Sequence, residues 1–146
     1  MVDADTNMDT DDSFVEQCAD EVDGLHAFFE LWFVGELPQT RDALARFSDV
    51  LAEEFQLIQP SGLTRSRNGI STDVFDAHGV HDDVTIETST FEPRDADGDR
   101  CLGTYEEWQT VGDDRTGRVS TVLFRRASAT PNGVEWVHLH ETWLDG

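Results

Sequence analysis

The chain has 146 residues, 31 of them acidic and 10 basic, for a formal net charge of −21. That length supports one domain with a real core. The charge excludes nucleic acid and anionic membranes as natural partners, because phosphate-rich surfaces need a basic face, and no apolar run approaches the ~20 residues that span a bilayer.

All 10 basic residues are arginine. Self-repulsion of this size strains a compact state at low ionic strength, whereas at molar salt the Debye length falls to about 3 Å and surface charges hardly interact. The composition points to a salt-adapted protein. The opening MVDADTNMDTDD has neither the positive flank nor the apolar centre of a secretion signal, so a soluble, cytoplasmic protein is expected. Cys18 and Cys101 match no metal or redox spacing and read as buried thiols.

In chain order, residues 1–12 are aspartate-rich with few apolar residues and read as a disordered acidic tail ahead of a single domain, 13–146. Ser13 and Glu16 match a capping box, so the first helix is expected to open there. Phe14, Cys18, Val22, Leu25, Phe29 and Trp32 recur at three- and four-residue steps, and the helix should stop at Gly35. A second helix is expected from Thr40 to about Glu54, with Leu44, Phe47 and Leu51 inward, and a short third from Ile70 to His78. FQLIQ reads as a short strand, and VTIETSTFEPR, CLGTYEEWQTV, RVSTVLFRRA and VEWVHLHETWL as four longer ones. DADGD, GDDRTG and SATPNG are turn chemistry that joins neighbours as antiparallel hairpins. The pattern predicts an α+β fold with helices covering one face of an antiparallel sheet.

HAFFELWFVGE in the first helix, LAEEFQLIQPSG leading into a strand and NGVEWVHLHETW at the end resemble the nuclear-transport-factor-2-like superfamily, over about residues 14–144. The narrower likeness is to small proteins of unknown function grouped with the SnoaL-like cyclases and the association domain of calmodulin-dependent protein kinase. The resemblance implies a cone-shaped, cystatin-like fold: three N-terminal helices in a strongly curved antiparallel sheet, an apolar pocket with a few polar groups, and homodimers through the outer sheet face. It implies no single reaction, because the superfamily hosts isomerases, cyclases and dehydratases beside members without chemistry.

Strict alternation along the last strand places Trp136, His138, His140 and Thr142 on one face and Val137, Leu139, Glu141 and Trp143 on the other. If the histidine face lines the cone, His138 and His140 suit proton transfer or anion binding; if it meets a dimer partner, they are interface residues. The family parallel, a histidine four residues after the tryptophan, falls on His140. His26 sits among apolar neighbours on the first helix, either as a satisfied core residue or facing the cone. Tyr105 and Glu107 share one strand face and could serve as oxyanion donor and base; the alternative is a solvated acidic strand. Arg65 or Arg67 could hold an anion at the mouth, although surplus carboxylates offer them partners.

No metal or cofactor is expected. His138 and His140 have a zinc-like gap without a third ligand at telling spacing, and DADGD imitates a calcium loop with Arg100 where glycine is needed. The leading expectation is a homodimeric domain binding a small, partly apolar molecule through His26, Phe29, Trp32, Tyr105, Trp136, His138 and His140. The alternatives are an acid/base enzyme of the cyclase, ketosteroid-isomerase or dehydratase type, using His140 or His26 with Tyr105 or Glu107, and a pure dimerisation module with a filled cone.

Overall fold

A computed structural model describes the backbone of residues 2–144 and the side chains of residues 12–144. Helix α1 spans Val2–Phe33 and α2 spans Arg41–Ser48; β1 (Leu51–Ile58) and β2 (Thr64–Ser66) precede α3 (Arg67–Asp76). Then follow β3 (Thr85–Thr88), β4 (Glu92–Asp97), β5 (Arg100–Val111), β6 (Asp114–Arg126) and β7 (Val134–Trp143).

The helix start expected at Ser13 is corrected, since α1 begins at Val2. Neither glycine nor proline interrupts the sequence before Gly24, so nothing forces the helix to open at Ser13. Of the expected stripe, Phe14, Cys18, Val22, Leu25 and Trp32 are buried, joined by Phe28, and Phe29 is half-buried. Both cysteines are buried free thiols.

The second helix ends six residues earlier than expected, at Ser48, and Leu51 opens β1 instead of closing a helical turn. Leu51 lies one helical turn from Phe47 and also begins an apolar run of strand character, an ambiguity that periodicity alone does not resolve. Thr40 caps α2 by accepting from the Ala43 amide at 3.1 Å. Ser66 caps α3 through the Gly69 amide at 3.2 Å, so α3 starts before the expected Ile70.

The strands form one sheet in the order β2-β1-β7-β6-β5-β3, with β4 also pairing β5. The sheet is mixed and not purely antiparallel, because β1 runs parallel to β7. The single strand expected over 84–94 is two, β3 and β4, which pair with successive parts of β5. DADGD makes the β4–β5 hairpin, with Gly98 at φ 58° and Asp97 opposite Arg100. Helix α1 lies against the inner face, touching β3, β4 and β7. This is the α+β cone of the resemblance.

One irregularity decides what faces the interior. Phe124 pairs with Trp136 but Leu123 pairs with His138, so Val137 is an extra residue, a β-bulge in β7. A one-residue insertion flips every later side chain to the opposite face. Trp136 points in, and beyond the bulge Leu139 and Glu141 do so in place of the histidines.

Candidate functional site

Between α1 and the inner sheet face lies a cavity of about 140 Å³. Its apolar wall comes from Leu25, Phe29 and Phe33 of α1, Phe47 of α2, and Phe55 and Leu57 of β1, closed by Trp136 and Leu139 of β7. The opposite wall is polar: His26, Tyr105, Glu107, Gln109, Arg118 and Glu141. Sheet register builds that strip. Tyr105, Ser120 and Glu141 form one cross-strand row and Glu107 with Arg118 the next.

His26 is held at both ring nitrogens. Nδ1 lies 2.7 Å from the Val22 carbonyl oxygen, to which it donates, and Nε2 lies 3.0 Å from Glu107 Oε1. Burial alone would lower its pKa, but the Glu107 carboxylate outweighs that and holds the imidazole above its ordinary 6.5. Burial would likewise raise Glu107, yet the bond and charge of His26, with Arg118 nearby, bring it to about 2. The two shifts agree on an imidazolium–carboxylate pair. The second Glu107 oxygen accepts from Gln109 Nε2 at 2.6 Å.

Glu141 is held more loosely. It is buried, and Arg118 Nη1 reaches both its oxygens at 3.2 Å. Burial raises its pKa, Arg118 opposes this, and the neighbouring Glu107 adds to the rise, leaving it above the carboxylate range. Tyr105 is raised well above the ordinary phenol value by burial and by the charges of Glu107 and Glu141. Its hydroxyl and that of Ser120 are buried without a hydrogen bond of good geometry.

Of the residues expected from the sequence, His26, Phe29, Tyr105, Glu107 and Trp136 meet at the cavity. Trp32 does not: fully buried, it donates from Nε1 to the Val74 carbonyl at 2.6 Å and ties α1 to α3. His138 and His140 lie on the outer face, half-buried and exposed, because the bulge turns them away. Arg65 is paired with Asp73 at 2.8 Å, and Arg67 donates to the Ser48 carbonyl. Glu141, Arg118 and Gln109 went unforeseen. Among the described residues no group of three or more His, Cys, Asp or Glu is placed to hold a metal ion, and no helix is long and apolar enough to cross a membrane.

A family model described as the C-terminal part of sucrose-6-phosphate phosphohydrolase matches residues 18–145. The chain belongs to that family. Sucrose-phosphatase 2 of Nicotiana tabacum is 29% identical over 129 residues, which are 86% of this chain and 30% of that protein. The chain thus spans under a third of the length of the curated relatives it matches. A nuclear-transport-factor-2-like protein of unknown function from Pseudomonas aeruginosa superposes with a TM-score of 0.80 at 23% identity, covering 88% of this chain and 99% of that one. A proposed dehydratase of that superfamily from Streptomyces avermitilis gives 0.70 at 17%, covering 92% and 99%. Likeness at these identities establishes the nuclear-transport-factor-2-like fold for this family member, and the cavity must supply the rest.

Proposed function

We propose that this chain is a small-ligand-binding domain acting as a homodimer. The cavity carries the reading: an apolar chamber with one polar wall is the usual anatomy of a ligand site. Its volume of about 140 Å³ is close to that of the ~150 Å³ engineered apolar cavities that take up benzene or xenon. The outer face of β5–β7 presents Leu102, Val119 and Leu123 beside Thr121, His138 and His140, a surface suited to a second copy in an otherwise acidic protein. The acidic surface fits a salt-rich cytoplasm.

The relatives' names suggest sucrose-phosphate chemistry, which the polar wall does not favour. Its two cations, Arg118 and His26, each already pair with a carboxylate, Glu141 and Glu107, so the wall offers a phosphate no net positive charge. General acid/base catalysis remains a second reading through Glu141, whose raised carboxyl faces the cavity. His26 is the weaker candidate base, with both nitrogens occupied.

Titration with benzene, followed by Trp136 fluorescence and by NMR shifts of the His26 ring, tests the binding reading. Saturable shifts are expected. Their absence, together with no xenon density in crystals pressurised with the gas, would mean a filled cone and leave the dimerisation module. Sedimentation of Thr121→Glu against the wild type tests the dimer; a monomeric variant is expected, and an unchanged species would remove the outer face as the interface.

A further inference from the structure

We infer that the cavity selects an uncharged single-ring compound carrying a hydroxyl donor, with the ring against Phe29 and Phe55 and the hydroxyl on Glu141. The inference rests on the small-ligand reading of the same cavity and adds the chemistry of the occupant.

Size comes first. About 140 Å³ accommodates one six-membered ring with a small substituent, whereas a disaccharide or sugar phosphate would have to extend out of the cavity mouth. Charge comes second. The polar wall holds two cationic groups, His26 and Arg118, and two carboxylates, Glu107 and Glu141, each cation already bonded to a carboxylate. The wall is thus charge-balanced, so a charged ligand would give up its hydration without meeting a net opposite charge, and an uncharged one avoids that penalty.

Polarity comes third. Both Glu107 oxygens are occupied, one by His26 and the other by Gln109. Glu141 receives only the long bonds from Arg118 Nη1, although a carboxylate can accept about four. Of the two carboxylates in the wall it has the longer bonds and a single donor nitrogen, and it is 7% exposed and lines the void. A ligand hydroxyl is the donor that completes it, and burial strengthens such a charge-assisted bond.

The test measures affinities of benzene, phenol, benzoate, benzylammonium and glucose 6-phosphate by calorimetry and by chemical-shift titration. Phenol should bind about tenfold more tightly than benzene, the usual effect of one hydrogen bond to a charged acceptor. Benzoate, benzylammonium and glucose 6-phosphate should bind at least tenfold more weakly than phenol. In Glu141→Gln the ratio of phenol to benzene affinity should fall towards one while benzene still binds. The ratio on the wild-type protein stands without any variant. Benzene binding with no preference for phenol, or tighter binding of either ion or the sugar phosphate, overturns the inference and leaves the cavity a binding site; no binding by any probe overturns the cavity reading beneath it.

Discussion

Two buried carboxylates, Glu21 on helix α1 and Glu107 on β5 packed against that helix, are held in different ways. Glu21 is completely buried and sits in a closed knot: Arg46 donates to both its oxygens at 3.2 and 2.9 Å, Asn132 at 2.9 Å and the Trp136 indole at 2.8 Å. Gly24 makes room for that arginine, since a Cβ there would stand 3.0 Å from Arg46 Nη2. Glu107 has His26 and Gln109 and otherwise faces the void. The first carboxylate ties α1, α2 and the turn into β7 together. The second takes one bond from His26 of the helix and one from Gln109 of its own strand, and its flank lines the void. A buried charge therefore marks a binding site only where its surroundings leave space.

Breaking the knot should have the larger effect. Glu21→Ala leaves Arg46, Asn132 and the Trp136 indole without their acceptor, and losing one partner of a buried pair costs about 3–5 kcal/mol. Urea unfolding followed by tryptophan fluorescence should register that loss. A variant within about 1 kcal/mol of the wild type would show the knot to be solvated in solution.

The pair at the cavity can be broken without mutation, by pH. Glu107 has a folded pKa below its unfolded one, so its contribution is full above about pH 4.5 and is lost as pH falls through about 2. That contribution is on the order of 3 kcal/mol. His26 has a folded pKa above 6.5, so its contribution is full below 6.5 and is lost as pH rises through the raised value. Glu141, which faces the same imidazolium, works the other way and returns some stability as it becomes protonated. Thermal midpoints should therefore peak between about pH 4.5 and 6.5. In His26→Gln the alkaline fall should disappear, and its persistence would assign the fall to another group.

Local and long-range features of the fold differ in how legible they are in the sequence. The inward stripe of α1 and the turns at DADGD and GDDRTG could be read because helix period and turn chemistry are local. His26, Tyr105 and Glu107 were singled out by residue type, and the sheet then brought them together. Glu141 and Arg118 were missed because in so acidic a chain one more glutamate carries no mark. Its distinction is a parity set by Val137, and an inserted valine in a valine-rich strand leaves no compositional trace. The early end of α2 was hidden for a similar reason, since Leu51 satisfies the helix and the strand pattern alike.

Salt separates the buried pairs from the surface. Screening reaches exposed carboxylates and hardly touches Glu21–Arg46 or His26–Glu107. Raising potassium chloride from 0.1 to 1 M should stabilise the protein by about 1–2 kcal/mol through relief of its net charge of −21. The increments lost in Glu21→Ala should stay the same at both concentrations. A wild-type stability that falls with salt would contradict the salt-adapted reading of the composition.

The smallest expected effect is the most discriminating for the site. His138 and His140 share a strand with Glu141, and strict alternation would put them in the cavity and Glu141 outside. With the bulge at Val137 they pair with Leu123 and Thr121 on the outer face. His138→Ala and His140→Ala should therefore change benzene affinity less than twofold, within the scatter of ordinary surface substitutions, whereas Leu139→Trp should abolish it by filling the void. A tenfold loss in His140→Ala with Leu139→Trp still binding would mean that β7 runs without the bulge in solution, and the polar wall would then have to be rebuilt around the histidines.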